Sequence, residues 1–495
     1  MTPSDQSAAP AWWERLFLCP LRGWRGWLAY LLILGLLGAV YFSLAGRMVA
    51  QINLDLEAYD QGANILLAQQ ASGDWYPHRS SYIQPLWPWV SRVVMAEDMG
   101  AYFTRGRWLN LSLGYVLAVM VAVLGARWMA PVPGLVAGWL TGIGVMLQRA
   151  HFFHPEPMLY GLFTATLLLM ALTLWRSRWV YDAGWGLCFG VAYLAKASTG
   201  PLLAVYAGAT VVLLLARAGW CPGWLVARGA DGRWSWGRHV AGSLLAVAIA
   251  AAIIAPNAVF KHRVHGDAFH QLPNYWMWCD DWDTEAVPLS PRLETAEGRA
   301  SFAPGELPSA GNYVRRHGWA HGWARFGEGF AFMTERFVVP VRQVNRALTG
   351  DLQSGREDRG EAAEVWRYTM PARGLYLCWL AGLAVVLLGW RTWRGGPPVF
   401  HSATGLSVTA LVTAAVLLYL AASGWYAVIG RGERFTLVLY LPLLLSLSWG
   451  AWSLARASQE RRVRIFYAAA VAAVLGHALL QTVWLLRHPW FGAAL

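Results

Sequence analysis

Long apolar stretches alternate with short polar connections along most of this 495-residue chain. A helix needs roughly 20 apolar residues to cross the hydrocarbon core of a bilayer, and about eleven stretches approach that length. They cover residues 27–47, 108–128, 132–148, 157–175, 183–197, 199–216, 239–260, 373–390, 402–422, 435–453 and 465–486. The pattern predicts an all-α polytopic membrane protein with about eleven transmembrane helices.

Two long hydrophilic stretches divide this apolar pattern into parts. We predict a cytoplasmic amphipathic N-terminus at 1–26, followed by an N-terminal transmembrane module at 27–260. That module includes a first extracytoplasmic loop at 48–107. A mixed extracytoplasmic loop region at 261–372 then precedes C-terminal transmembrane helices at 373–495.

The first loop carries helical signals of its own. Residues 58–70 have helical spacing and contain no proline, which predicts a short helix. Pro85 and Pro88 mark the start of a second helix that is rich in tryptophan. We expect Trp87 and Trp89 to anchor this second helix at the membrane interface.

The composition excludes a water-soluble globular protein. Hydrophobic residues make up 57% of the chain, charged residues only 14%, and the mean hydropathy is +0.36. In a soluble protein the net charge of +12 would suggest a nucleic-acid partner. Here the arginines fall in alternate short connections, as the positive-inside rule requires for a cytoplasmic N-terminus. We therefore expect a lipid bilayer, and no nucleic acid, as a partner.

This topology places nearly all acidic residues on the extracytoplasmic side. Such segregation favours an active site on that face of the membrane. The chain has 38 arginines and two lysines and is rich in tryptophan and alanine, which is typical of a bacterium of high genomic GC content. We expect a multi-pass protein of the bacterial cytoplasmic (inner) membrane, with its active site facing the periplasm or exterior.

Asp55 and Glu57 follow the first span closely, where the short loop helix would begin. One of these carboxylates is a candidate general base, taking a proton from an acceptor hydroxyl as that hydroxyl attacks a sugar carbon. Alternatively, Asp55 is a helix N-cap and Glu57 is a first-turn acid favoured by the helix dipole.

Three short motifs occur in order here: DLEAY at 55–59, SGDWY at 72–76 and QPL at 84–86. This opening resembles that of the GT-C superfamily of integral-membrane glycosyltransferases, nearest to the bacterial aminoarabinose transferase and protein O-mannosyltransferase branch. The resemblance implies a GT-C-like fold and an inverting transfer of sugar from a polyprenyl-phosphate donor. Members commonly carry adjacent Asp and Glu at this point, whereas here Leu56 separates the two acids. The distance to Tyr59 matches the family pattern for Asp55, which we favour as the base.

A second outer connection reads RAHFFHPEP at 149–157. Family members often carry a second carboxylate at the start of the following span, and Glu156 matches that position. Alternatively, Glu156 is a helix-start acid after a proline. His151 and His154 with Glu156 also suggest metal ligands, but the loop lacks a zinc-protease pattern. We expect no required cofactor, with a divalent metal as the alternative.

Lys196 ends an apolar segment in the sequence AKASTGP at 195–201. The sequence is similar to a turn between two spans of the family, where the ammonium would meet the phosphate of the lipid-linked donor. Snorkelling of the side chain to the interface is the alternative.

A late outer turn, GRGERF at 430–435, resembles an arginine motif of these transferases. Arg431 and Arg434 each offer a bidentate fork to phosphate, and Arg79 is a further candidate in the first loop. Five other residues are expected to contact substrate: Tyr59, Asp60, Tyr82, Gln84 and His154.

An acidic and aromatic stretch, NYWMWCDDWD at 274–283, stands apart from these motifs. Asp280, Asp281 and Asp283 suggest calcium, but the stretch lacks the glycine and the glutamate of an EF-hand loop. We interpret it as a solvated acidic loop, whose tryptophans stack on a sugar ring or rest on the membrane.

The chemistry follows from these candidates. Asp55 is the base, with Glu57 or Glu156 assisting, and the cations neutralise a departing phosphate. The acceptor is a glycolipid, a glycan or a protein. A transporter or flippase for lipid-linked sugars is the main alternative, but ionisable groups in transporters lie near the bilayer midplane rather than at one face. A non-catalytic binder of lipid-linked sugars is a third possibility.

Overall fold

The computed structural model describes residues 10–51, 61–70, 82–176, 178–222, 235–338, 360–393, 402–429 and 435–487. Within these ranges all the regular secondary structure is helical, as predicted. The helices up to residue 265 are α1 (Trp12–Phe17), α2 (Trp24–Gln51), α3 (Gln61–Gln70), α4 (Leu86–Ser91), α5 (Met99–Trp128), α6 (Pro131–Thr141), α7 (Glu156–Arg176), α8 (Trp179–Ala195), α9 (Leu202–Arg217) and α10 (Trp236–His265). The later helices are α11 (Pro273–Trp276), α12 (Val287–Glu294), α13 (Ala296–Ala300), α14 (Ala310–Val338), α15 (Gly360–Trp393), α16 (Ala403–Tyr426), α17 (Tyr440–Ala457) and α18 (Arg461–Arg487).

Eight of these helices are long and apolar enough to cross a membrane: α2, α5, α7, α9, α10, α16, α17 and α18. The chain is therefore a multi-pass membrane protein. The other three predicted spans coincide with shorter apolar helices. These are α6 with its π-helical continuation Gly142–Met146, the 17-residue α8, and part of α15. The count of eleven spans stays a prediction.

Helices α5 and α6 approach each other closely through small residues. A Cβ atom added at Gly134 of α6 would overlap the backbone of Ala126 and lie 2.7 Å from the carbonyl oxygen of Ala122. A Cβ added at Gly138 would lie 2.7 Å from the carbonyl oxygen of Ala118. In lipid no hydrophobic effect drives helices together, so such close backbone contact supplies much of the packing energy.

We expect Gly134→Ala to destabilise the bundle by about 1–3 kcal/mol, because the added methyl group has to push α6 away from α5. Thermal unfolding of the detergent-solubilised protein measures the effect. Gly208→Ala in the exposed part of α9 is the matched control, since nothing lies within 4 Å of its added Cβ. A Gly134→Ala protein as stable as the control would show that the two helices do not rely on this contact.

The first described helix is fastened to the last two. Glu14 of α1 pairs with Arg464 of α18 at 2.7 Å. Trp452 of α17 donates its indole N–H to the carbonyl oxygen of Leu18 at 3.3 Å. These contacts close the bundle at the end where the predicted cytoplasmic arginines cluster.

The segment from α11 to α14 has a small core of its own. Leu272, Trp276, Cys279, Ala286 and Leu293 form a buried apolar cluster there. Helices α12 and α13 follow Ala286 of this cluster closely in the chain. Helix α14 packs against α16, and thereby attaches the segment to the transmembrane bundle.

Candidate functional site

Several helix ends that carry the predicted motifs meet at one end of the bundle. Because the long helices alternate in direction, the end of α2, the start of α5, the start of α7, the end of α8 and the end of α10 all lie at this end. We call it the polar end. The opposite end carries the arginines that were assigned to the cytoplasmic connections.

Glu156 is the first residue of α7, and its side chain is only 4% exposed. Its Oε1 atom lies 3.3 Å from the Nζ atom of Lys196, and its Oε2 atom lies 3.6 Å from Nδ1 of His154. Burying a carboxylate is costly unless its charge is compensated. The ammonium group and the positive end of the α7 dipole supply that compensation.

Lys196 follows the last residue of α8 in an extended backbone conformation. Its side chain is 25% exposed, and its Nζ atom lies 4.6 Å from the centre of the Phe435 ring. Phe435 immediately follows the turn that contains Arg431 and Arg434. The structure therefore brings Glu156, Lys196 and the residue next to the arginine turn to one point.

Arg107 ties the second outer connection to the end of α2. This arginine of α5 is 1% exposed, and its Nε–H donates to the carbonyl oxygen of His151 at 2.6 Å. Its two terminal nitrogens donate to the carbonyl oxygens of Val49 at 3.1 Å and Met48 at 3.3 Å. Asp55 follows only a few residues later, so Arg107 links the start of the first loop to the loop that precedes Glu156.

Asn110, one turn further along α5, also bonds to the connection that precedes Glu156. Its amide nitrogen donates to the carbonyl oxygens of Phe152 and His154, both at 2.7 Å. The backbone N–H of Phe153 donates to Oε1 of Gln61 at 2.8 Å. Residues 151–154 are thus fixed by side chains of α5 and α3, which positions His154 and the start of α7.

The expected interfacial role of Trp87 is wrong. Its side chain is fully buried, with its ring centre 5.4 Å from that of Phe153, and Tyr102 packs on the other side of Phe153 at 5.3 Å. Trp87 is therefore a core residue that supports the connection before Glu156. Trp89, which is 49% exposed, remains available to the interface.

Two predicted substrate residues of the first loop lie beside later parts of the chain. Gln84 is 4% exposed, and its Oε1 atom lies 3.5 Å from the amide nitrogen of Asn257 in α10. Tyr82 is 37% exposed, and its ring centre is 5.8 Å from that of Trp276. Because α4 packs against α8, both residues belong to the polar end.

His151 carries no charge near neutral pH. Burial, reinforced by the nearby positive charge of Arg107, lowers the pKa of His151 to about 3. Its Nδ1 atom lies 3.3 Å from the carbonyl oxygen of Leu147. The cationic character of this part of the site therefore comes from Lys196 rather than from His151.

Seven predicted site residues lie outside the residues that the structure describes: Asp55, Glu57, Tyr59, Asp60, Arg79, Arg431 and Arg434. Their roles stay predictions. Their described neighbours are Gln51, Gln61, Tyr82 and Phe435, which all belong to the polar end.

The alternative of a metal at His151, His154 and Glu156 stays a prediction. Adjacent ligands of a tetrahedral zinc ion lie about 3.3 Å apart, and the His154–Glu156 separation of 3.6 Å is close to this. The other carboxylate oxygen faces Lys196. Over the described ranges, three potential ligands converge instead at Asp280, His317 and His321.

Sequence comparison identifies no relatives: the chain matches no protein-family model and no curated protein. Comparison with solved structures finds a similar arrangement in an archaeal oligosaccharyltransferase. This is the enzyme AglB of Archaeoglobus fulgidus. In its complex with an inhibitory peptide and a dolichol-phosphate, the TM-score is 0.48 and the identity 14%, over 94% of this chain and 56% of that one. For the apo form of the same enzyme the TM-score is 0.44 and the sequence identity 12%, over 90% of this chain and 55% of that one. The chain spans about half the length of the archaeal enzyme.

Proposed function

We propose that the protein is an inverting glycosyltransferase that moves a sugar from a polyprenyl-phosphate donor to an acceptor hydroxyl at the polar end. The observation that carries this proposal is the buried carboxylate of Glu156, which is paired with Lys196 at the polar end of the bundle. An apolar bundle offers a lipid-tailed donor a place in the membrane, and the ion pair meets its phosphate headgroup.

The reaction requires one base and one site for a leaving anion. The acceptor oxygen attacks the anomeric carbon from the face opposite the phosphate, the new C–O bond forms, and the bond to the phosphate oxygen breaks. The acceptor proton passes to a carboxylate. The departing polyprenyl phosphate is stable as an anion, so it needs neighbouring cations rather than a general acid.

We propose different roles for the candidate carboxylates. A carboxylate held 3.3 Å from an ammonium is a weakened base, so Glu156 serves best to position Lys196. Lys196 then faces the donor phosphate together with Arg431, Arg434 and Arg79. Asp55, with Glu57 beside it, is left as the base.

Aromatic side chains near the site suit a sugar ring. Tyr82, Trp276 and Trp282 form a continuous row, with ring centres 5.8 Å and 5.0 Å apart. Tyr82 and Trp282 are 37% and 38% exposed, so the row has accessible edges at both ends. Stacking on aromatic faces is compatible with any of the proposed acceptors, whether glycolipid, glycan or protein-linked.

The test is a transfer assay with purified protein in liposomes and labelled polyprenyl-phosphate sugars. The donor is supplied on the side of the membrane that the polar end faces, which corresponds to the proposed periplasmic side of a bacterial inner membrane. We expect labelled product with an inverted anomeric centre, and we expect Asp55→Asn to bind donor without transferring it. A retained configuration would exclude the single-displacement mechanism. Donor that crosses the membrane or binds without being consumed would establish the flippase or binding-protein alternative in its place.

A further inference from the structure

A second group of polar side chains lies in the α11–α14 segment, apart from Glu156. Asp280 follows α11, and His317 and His321 belong to α14. The Nε2 atom of His317 lies 3.3 Å from Oδ2 of Asp280, and Nε2 of His321 lies 3.9 Å from Oδ1. The three donor atoms all fall within 4.8 Å of one another. We propose that Asp280, His317 and His321 form a binding site for a divalent transition metal of the zinc class.

The spacing fits this class of ion. Ligand atoms about 2.0–2.1 Å from a tetrahedral zinc are about 3.3 Å apart, which is the His317–Asp280 separation. His321 needs only a small side-chain rotation to reach the same distance. Two imidazoles and one carboxylate are a ligand set that zinc accepts, with a fourth position left for water.

The carboxylate of Asp280 is held in a fixed orientation by its neighbours. Its Oδ1 atom accepts hydrogen bonds from Tyr313 Oη at 2.8 Å and from Arg325 Nη1 at 2.9 Å. Arg325 also donates to the carbonyl oxygens of Met277 and Trp425, so its guanidinium cannot swing away. Oδ2 is thereby turned towards His317. Metal-binding carboxylates are commonly oriented by such outer hydrogen bonds.

Gly318 explains how the two histidines come to face one aspartate. Its φ of 76° and ψ of 164° interrupt α14 between them. This backbone conformation is essentially restricted to glycine. With this break, the imidazole rings of His317 and His321 lie nearly parallel, with centres 5.1 Å apart. In an uninterrupted helix, the geometry of one turn alone would set the distance between His317 and His321, whatever the position of Asp280.

The proposed metal site is accessible to solvent, and a metal bound there would link two parts of the α11–α14 segment. The side chains of His321, Asp280 and His317 are 51%, 32% and 27% exposed, which leaves a path for the ion and for water. A bound metal would join the end of α11 to α14 beside Trp425, and so fasten the segment next to the arginine turn.

The experiment uses the full-length protein without a polyhistidine tag, stripped with a chelator and then titrated with Zn²⁺ or Co²⁺. We expect wild type to bind one equivalent more than the double variant His317→Gln/His321→Gln, and to give the visible absorption of Co²⁺ in a low-coordinate site. Excess Ca²⁺ should not displace the metal, since a hard cation prefers oxygen ligands. His262→Gln, at an exposed histidine of α10, is the matched control and should keep the equivalent.

Two further variants separate this site from others. Tyr313→Phe keeps all three ligands but loosens Asp280, so we expect affinity to fall about 10–100-fold. His154→Gln should still bind one metal ion per protein at Asp280, His317 and His321, because His154 belongs to the separate group around Glu156. The proposal is overturned if wild type takes up no metal at micromolar free Zn²⁺, or if the double variant retains the wild-type stoichiometry. Loss of the equivalent in His154→Gln alone would place the metal at Glu156 and would equally overturn it.

Discussion

Lys196→Met is expected to lower the rate of sugar transfer by about 10²–10³-fold, the loss typical for removing one preorganised group that stabilises an anion in the transition state. Lys196 lies 3.3 Å from Glu156 and beside Phe435, where it can meet a leaving phosphate. Methionine preserves the length and apolar stem of the side chain and removes only its charge. Single-turnover rates with saturating donor measure the effect directly.

The same substitution also leaves the buried carboxylate of Glu156 without its ammonium partner, and this lowers stability. The double variant Lys196→Met/Glu156→Gln removes both charges and separates the two effects. We expect it to recover most of the thermal stability and none of the activity. Lys196→Arg keeps the charge and should retain part of the rate. If Lys196→Met transfers sugar at the wild-type rate, the cation does not take part in the chemistry.

Arg107→Met is expected to lower the free energy of unfolding by at least about 3 kcal/mol, because it leaves three buried carbonyl acceptors without their donor. These acceptors belong to Met48, Val49 and His151. Since they lie at the end of α2 and in the connection before Glu156, transfer activity should fall even where the variant remains folded. Thermal unfolding and transfer assays below the unfolding temperature measure the two losses separately.

Arg105→Met provides the control for this prediction. Arg105 lies two residues earlier on the exposed side of α5, so it tests the loss of an arginine from the same helix without the buried hydrogen bonds. Arg107→Lys should be intermediate, because one ammonium cannot span three carbonyl groups as a planar guanidinium does. Equal stability of the Arg105 and Arg107 variants would contradict the positioning role.

The sequence predicts the membrane helices well because hydropathy and length directly reflect the bilayer as solvent. It also predicts the helices at 61–70 and 86–91, whose spacing and prolines act locally. The position of Glu156 at a helix start is likewise a local property. Its pairing with Lys196, 40 residues away, is not, because it depends on how α7 and α8 cross.

The residues that sequence reasoning missed act through tertiary contacts. Arg107 and Asn110 lie three residues apart on one face of an apolar helix, and a charged residue so near a span was the available signal. Trp87 and Trp89 lie in the same short sequence segment, and the packing of Trp87 against Phe153 is what makes Trp87 a core residue. Asp281 and Asp283 in the acidic stretch are exposed, which agrees with its interpretation as solvated. The sequence did not show that Asp280 pairs with Arg325 or that Asp281 caps the following helical turn.

The contact between Glu14 and Arg464 sets an order of events during biosynthesis. The two residues are 450 positions apart, so α1 has no such partner until the following 450 residues have been made. At a synthesis rate of about 5–20 residues per second, that interval is roughly 20–90 seconds. Helix α1 would thus reach its final place only after α18 has been made, and a chain truncated before α18 could enter the membrane yet would lack this closing contact.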